Sequence, residues 1–483
     1  MTRPPPSDSI RTIVESAVPS IRVETISTIP TKRLLRPFKV KLTDGRTLLL
    51  NLSSPPSRLL RSEQWLIQSE ATVIKWLLKD ASKQLGETTH ILTEEDAEKL
   101  PLKEGLSRRW GRHSALEAST SFKDQLLGYL PTLIKHSSTT IEAGSAFSLF
   151  EPTSGDSISS LGKHLTDTER KSINFQKGRL LRRIADFTSP NGRFGLAVTV
   201  LGPPRASQDT QGEASESKFD FDGTDSWRKT FHSLLEGILR DGEDLAVTIS
   251  YELVRKTFYK FGHLLDAITT PRLVVCDADD DDIVLVSRSV EAADGKTGKA
   301  RKGSVEAKIE SVDSSIDETR HKQDELTKDE ETIRVTGLRD WSNCIFGDPL
   351  FATAFSHTNP EFERGFKQTF DAHVKHENDG SDEQQENTDI IEDPDNASTR
   401  ILLYECYHAT VSIVRQFYRP DADSSEREIA ARRRLVAALA KLDHVDVAGS
   451  AEKRPRRLSR DEWPVKKPRG DTPAVKQEPG ESA

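Results

Sequence analysis

Two segments constrain this chain more than any others: PRLVVCDADDDDIVLV (271–286) and IRVTGLRDWSNCIFGDP (333–349). Each is an extended apolar run, rich in β-branched residues, that breaks into a loop carrying an aspartate, Asp277 in the first and Asp340 in the second. Such runs, bounded by Asp, Asn and Gly, read as strands. The fold must therefore deliver two carboxylates from the ends of two strands. Phosphoryl transfer from a nucleotide uses a pair of this kind: one accepts or orients the hydroxyl proton, and the other holds the metal that bridges the phosphates.

With 483 residues, the chain is long enough for one large two-lobed domain or two ordinary ones, plus tails. Apolar content is low at 35% and charged content high at 30%, which suggests a folded core diluted by solvated segments. A net charge of −8 gives no global reason to expect nucleic-acid binding. Cys276, Cys344 and Cys406 are scattered, with no CxxC and no histidine cluster, so neither a disulfide framework nor a structural zinc site is expected. The N-terminus has no apolar stretch of signal-peptide length, and no run reaches the length of a spanning helix. A soluble intracellular protein with no membrane contact is the expectation.

Strand patterns dominate the early chain. FKVKL (38–42) and TLLLNL (47–52) flank Asp44-Gly45, a strong hairpin signal. A helix follows over 62–81, with Trp65, Leu66, Val73, Trp76 and Leu77 mostly on one face. AFSLFEP (146–152) is again extended. Beyond it the chain turns helical: 164–187 opens on a Thr-Asp-x-Glu start signal, 226–245 and 250–268 carry apolar residues at helical spacing, and two more helices are expected near 400–418 and 425–443. An α+β protein in two lobes is predicted, with a sheet-rich N-lobe over 1–150 and a helical C-lobe over 151–445. Low order is expected in the first 20 or so residues, at 203–225, 287–332 and 376–398, and in a tail over 446–483, because none of these can bury enough apolar surface to offset its chain entropy.

The order of these pieces resembles the protein-kinase-like fold, and the later half looks like the aminoglycoside phosphotransferase family in the divergent form common in filamentous fungi. Members of that group carry segments of the types LVHWDLWDGNVFV and VTGIIDWERALWGDPL. Here LVVCDADDDDIVLV (273–286) and VTGLRDWSNCIFGDPL (335–350) stand in their places. The flanks RSEQWLIQSEATVIKWL (61–77), GRLLRRIADFTSPNGRFG (178–195) and SWRKTFHSLLEGIL (226–239) are similar to that group as well. The most specific element is DWxxxxxGDP, formed by Asp340, Trp341, Gly347, Asp348 and Pro349.

That resemblance implies roles. Asp277 matches the catalytic aspartate, Asp340 the metal-binding aspartate, and Glu70 the helix glutamate that pairs with a nucleotide-positioning lysine. Asn51 stands where the family has that lysine, and an amide cannot supply its charge to phosphates. Val275 replaces a loop-orienting histidine. Asp282 replaces the asparagine that completes the metal site, a change Mg²⁺ tolerates. PTKRLLRPFKV (30–40), where a phosphate-covering glycine loop belongs, has no glycine. Mg²⁺ and ATP are the implied cofactors, and a hydroxyl-bearing small molecule the implied substrate.

Two classes of function stay open. One is an ATP-dependent phosphotransferase with Asp277 as base and Asp282 and Asp340 on Mg²⁺. The other is a non-catalytic, pseudokinase-like nuclear scaffold, favoured by Asn51 and the absent glycine loop. Lys39 and Lys41 are candidate cations for the space beside Asn51. The acidic run 277–282 should raise some of its own pKa values by mutual repulsion. Cys276 reads as a small buried strand residue, Trp341 as loop packing, and Trp227, Phe231, Phe258 and Phe261 as core. In the tail, KRPRR (453–457) and KKPR (466–469) suit the acidic groove of a nuclear import receptor, and Val475-Lys476-Gln477-Glu478 resembles an attachment site for a small ubiquitin-like modifier at Lys476. These features point to a nuclear or cytoplasmic location.

Overall fold

A sheet-rich first half and a mainly helical second half are found in the computed structural model of the chain, which describes residues 7–31, 33–53, 59–89, 126–142, 144–202, 223–289, 332–357, 359–368 and 390–451. Helix α1 (Ser7–Ala17) precedes β1 (Val23–Thr28), β2 (Arg36–Leu42) and β3 (Thr47–Leu52). Helix α2 (Leu66–Thr89) comes next, and then β4 (Thr132–Ser137) and β5 (Phe147–Glu151). These strands make one five-stranded antiparallel sheet in the order β1-β2-β3-β5-β4. At the β2–β3 turn Gly45 adopts φ +87°, a conformation glycine reaches without a Cβ clash.

Both faces of that sheet are buried. Leu48, Leu50, Leu52, Phe147 and Leu149 pack with Ile10, Ile13 and Val14 of α1. Leu49 and Phe150 face the other way, joining Val73, Ile74 and Leu77 of α2 in a core that continues through the helical half. The first 20 residues, expected to lack order, are therefore corrected from Ser7 onward. Ile10, Ile13 and Val14 recur at helical spacing and cap one sheet face.

Beyond a short β6 (Asp156–Ser157), the helical half is built from α3 (Asp167–Ala185), α4 (Trp227–Asp244), α5 (Tyr251–Phe261), α6 (Pro360–Lys367), α7 (Ala397–Tyr418) and α8 (Ser424–Ala451). The start signal at 166 is a reciprocal capping box: Glu169 N–H donates to Thr166 Oγ1 (3.2 Å), and Thr166 N–H donates to Glu169 Oε2 (2.7 Å). Trp227, Phe231, Phe258 and Phe261 are core residues, as expected. Residues 1–442 form one unit; of the second, 443–483, the described residues 443–451 are helical.

Other stretches expected to be poorly ordered are structured at their margins. Thr224 exchanges two backbone hydrogen bonds with Phe194 (2.8 and 2.7 Å). Residues 287–289 and 332 belong to β9 (Val284–Ser289) and β10 (Thr332–Leu338), which pair antiparallel. Between 390 and 398 the Glu392 carboxylate accepts from Thr269 and Thr270, the Asp393 carboxylate accepts from the Asn396 amide, and Arg400 donates to the backbone carbonyls of Glu392 and Asp393. Ile390 is buried beside them. Helix α8 runs on past 446 to Ala451. The remainder of those stretches lies outside the described residues. Among the described residues no helix is long and apolar enough to cross a membrane.

Candidate active site

The two aspartate-bearing segments zip together at both ends. Besides β9 and β10, β8 (Arg272–Val275) pairs antiparallel with β11 (Cys344–Gly347), which also holds β7 (Gly195–Leu196). The ladders stop at Val275↔Cys344 on one side and Val284↔Leu338 on the other. Two backbone bonds close the gap, Cys276 N–H to Asn343 O (2.9 Å) and Arg339 N–H to Ile283 O (2.8 Å). The loops 276–283 and 339–343 are thereby trapped between two ladders and held side by side. Asp277 and Asp340 share one site for this reason.

What joins them is a cation from the sheet half. Arg33, on the connection between β1 and β2, donates from Nη2 to Asp277 Oδ2, from Nη1 to Asp280 Oδ2 (2.9 Å) and from Nε to Asp340 Oδ2 (2.9 Å). One guanidinium therefore serves three carboxylates. Burial opposes its charge, but the three aspartates outweigh that and hold its pKa well above the usual arginine value. Neither Lys39 nor Lys41 plays this part: Lys39 is exposed, and Lys41 pairs with Glu24 (3.0 Å) on the outer surface.

Asn51 and Glu70 also meet. The Asn51 amide donates to both carboxylate oxygens of Glu70 (3.0 and 3.1 Å), and both side chains are buried. Burial, reinforced by the charge of Asp340, pushes the Glu70 carboxyl well above its usual range; the Asn51 hydrogen bonds only partly offset this. Burial raises Asp277 too, with Asp340 adding to it and Arg33 opposing. Asp340 goes the other way. Burial disfavours its charge, but Arg33 and the hydrogen bonds from Ser342 prevail and hold it below the usual carboxylate range.

Asp282 lines the same cleft without joining this cluster. Its peptide N–H donates to Asp280 Oδ1 (2.9 Å) and its carbonyl accepts from Arg339 (3.1 Å). The carboxylate beside Asp277 and Asp340 is that of Asp280, which sequence reasoning passed over within a run of identical residues. The histidine missing at Val275 is compensated by other groups. Thr353 donates through N–H (2.8 Å) and Oγ1 (2.9 Å) to Cys276 O and also bonds Asp279, while Lys177 of α3 donates to Asp279 O (2.8 Å). Nothing near Thr353 or Lys177 in sequence marks them as loop holders.

Cys276 was expected in a strand but stands one residue past the end of β8, at the first position of the loop; it is buried, and desolvation drives its thiol pKa well up, which disfavours the thiolate that a nucleophile needs. Trp341 is fully buried and donates to Leu338 O (3.2 Å), packing the loop as expected. Asp348 of the GDP element is a structural hub: it accepts from Leu350 N–H (3.0 Å), Arg400 Nε (3.0 Å) and Tyr404 Oη (2.7 Å), and Tyr404 accepts in turn from Trp227 (2.7 Å).

The cleft encloses about 470 Å³. Its far wall comes from α7 and the α2 approach, where Glu63 is clamped by both Nη groups of Arg419 (2.6 and 2.7 Å). Donor chemistry at the near wall suits a hard divalent cation, which takes carboxylate oxygens. The spacing does not: with Arg33 seated, no group of three or more His, Cys, Asp or Glu among the described residues is placed to hold a metal ion. One atom stands out. Asp277 Oδ1 is shielded from solvent and has no hydrogen-bond partner among the described residues.

No family model matches this chain, and no curated protein does. Solved structures that it is similar to include a provisionally named fructosamine-3-kinase from Haemophilus somnus (TM-score 0.44, 10% identity, covering 89% of this chain and 97% of that one). A provisionally named aminoglycoside phosphotransferase from Ralstonia eutropha gives a TM-score of 0.43 at 12% identity, covering 91% of this chain and 98% of that one. The gentamicin complex of APH(2'')-IIa gives 0.42 at 10% identity, covering 90% and 97%.

Proposed function

We propose that the cleft is a phosphotransferase-type site that takes a hydroxyl group of a small molecule as acceptor and ATP as phosphate donor, with Asp277 as the proton acceptor. The observation that carries this reading is the state of Asp277. One carboxylate oxygen is tied by Arg33, and the other is an acceptor without a donor. An unmet buried acceptor costs about 1–3 kcal/mol, and a substrate hydroxyl would relieve that cost. Burial also raises the basicity of Asp277, as a group that must accept a proton requires. Mg²⁺ at Asp340 and Asp282, the ion that would neutralise phosphate charge, does not fit the carboxylates as placed, because Asp282 stands outside the cluster of Asp277, Asp280 and Asp340.

A second reading, the non-catalytic scaffold, is favoured by a specific observation: Asn51 and Glu70 satisfy each other and direct no cation at a phosphate. A thermal-shift titration separates the two, because a ligand that binds only the native state raises the melting temperature. The expected result is a rise of about 2–4 °C with millimolar Mg²⁺–ATP, abolished in Asp340→Ala and kept in Asp277→Ala. An unmoved midpoint in the wild type would leave the scaffold reading standing.

The tail features at 453–457, 466–469 and Lys476 lie outside the described residues, and the nuclear assignment rests on sequence alone. Replacing both basic clusters with alanine should move a fluorescent fusion out of the nucleus; unchanged nuclear signal would retire the import proposal.

A further inference from the structure

Opposite the aspartates, the cleft has a wall of contrary sign. Helix α7 turns His408, Ser412, Arg415 and Arg419 toward it at helical spacing, and α8 adds Arg427 and Arg434. Two of these arginines are fully engaged: Arg419 clamps Glu63, and Arg427 donates to Asp421 and to Gln416 Oε1 (3.1 Å). The other two hold carboxylates loosely. Arg415 Nε comes only within 3.5 Å of Glu63, and Arg434 Nη1 only within 3.6 Å of Glu405. Neither guanidinium makes a hydrogen bond among the described residues, and 44% and 39% of the two side chains are exposed. Because Glu63 already has the Arg419 fork, the charge of Arg415 is surplus there. Burial is the main depressant of the His408 pKa, and the charges of Arg434 and Arg415 add to it, so both guanidinium groups stand near that ring.

The two walls meet at the His408 end. Phe351, whose carbonyl is bonded to His408, stands two residues before Thr353, and Thr353 holds the carbonyl of Cys276, next to Asp277. Arg415 lies seven residues further along α7, about 10 Å by helical rise. A ligand in the cleft thus meets the unpartnered Oδ1 of Asp277 at one end and a surplus guanidinium at the other. Charge fixes its direction. An anionic group is drawn to the arginine wall and repelled by the loops, where three carboxylates face one guanidinium, so its hydroxyl end is left for Asp277. A cationic group would settle among the aspartates and turn the hydroxyl away. One surplus charge matches a carboxylate better than a phosphate, which carries nearly two. We infer that the cleft takes a hydroxyl-bearing carboxylic acid, its carboxylate held by Arg415 with Arg434 in support. That this ligand is the phosphoryl acceptor rests on the phosphotransferase reading; its charge does not.

Calorimetric titration of the full chain, without metal or nucleotide, tests this with lactobionate and lactitol. The two share one disaccharide-polyol frame and end in a carboxylate and an alcohol. Wild type should bind lactobionate about tenfold more tightly than lactitol, the worth of one charge-assisted contact. Arg415→Gln should erase most of that preference, while lactitol, which does not use the charge, reports that the cleft is intact. Equal affinities in the wild type, no measurable binding of either included, overturn the inference, as does a preference that Arg415→Gln leaves in place. Should Arg415→Gln fail to fold, Arg434→Gln carries the test: the preference should fall about threefold, and no fall overturns it. Displacement of lactobionate by saturating Mg²⁺–ATP would give Arg415 to nucleotide phosphates and overturn it too. The two readings fail separately. A lactobionate preference with no Mg²⁺–ATP shift keeps the carboxylate site and removes the phosphotransferase; a nucleotide shift with equal lactobionate and lactitol affinities does the reverse.

Discussion

Asp340 and Glu70 are both buried, yet their carboxyl groups are pushed in opposite directions. The difference is the partner. A guanidinium and a pair of Ser342 hydrogen bonds stabilise the anion of Asp340, whereas an uncharged amide cannot do so for Glu70. His408 shows the same logic for a base. It lines the cleft with Nε2 bonded to Phe351 O (2.7 Å), and burial depresses its pKa from 6.5 to about 4. A depressed pKa means that the folded state favours the neutral ring. Its contribution is complete above pH 6.5 and drains away as pH falls toward about 4. Urea unfolding should show wild type losing up to about 3 kcal/mol more than His408→Gln across that window. Parallel losses would show that His408 is not held neutral. At this scale Asp277 and Asp340 stood out in the sequence because strand-to-loop breaks are local patterns, whereas Glu70 and Asn51 were singled out by the family resemblance alone. Arg33 was marked by neither. It lies 307 positions from Asp340, and a lone arginine between two strands carries no local signal of its partner.

Elements were readable where their signals were strong and local. The Asp44-Gly45 hairpin and the Thr166 capping box were read from a few adjacent residues, and both are found. The helical start of the chain was missed because Ile10, Ile13 and Val14 are too few to stand out before a sheet is there to receive them. One helix pair deserves a test. A Cβ on Gly178 of α3 would lie 2.1 Å from Phe362 O of α6, and one on Gly365 of α6 would lie 2.1 Å from Phe175 O of α3. The two backbones touch, and only glycine permits it. Gly178→Ala gains up to about 1 kcal/mol in helix propensity but must force the helices apart. A net loss of about 2 kcal/mol is expected in chemical denaturation. The pair Gly178→Ala and Gly365→Ala should cost less than the sum of the singles, since the first already separates the helices. Lys177, next to Gly178, holds the Asp279 carbonyl, so the acidic loop should loosen in the same variant. A neutral or stabilising result would show that the approach is not tight.

Across residues 1–442 a single buried cluster joins Leu49, Val73 and Phe150 of the sheet half to Phe231, Val275 and Tyr404 of the helical half. Trp76 of α2 sets its edge against Phe187 and Phe346 at 5.9 and 5.5 Å, sealing the same seam. Shared burial on this scale couples the halves, so calorimetry should record one cooperative transition for this unit, with the calorimetric and van't Hoff enthalpies equal. Two resolved transitions would mean that the halves fold independently.

Composition, periodicity and turn chemistry are properties of neighbouring residues, and they were enough to set the order of strands and helices and to mark Asp277 and Asp340 at two strand-to-loop breaks. Pairing is a property of space. Which aspartate joins Asp277 and Asp340, and which cation faces them, depended on ladders closing around two loops and on a sheet edge lowering Arg33 between them. Charges attract at a few ångströms wherever the chain brings them, and only the folded chain decides which ones are brought.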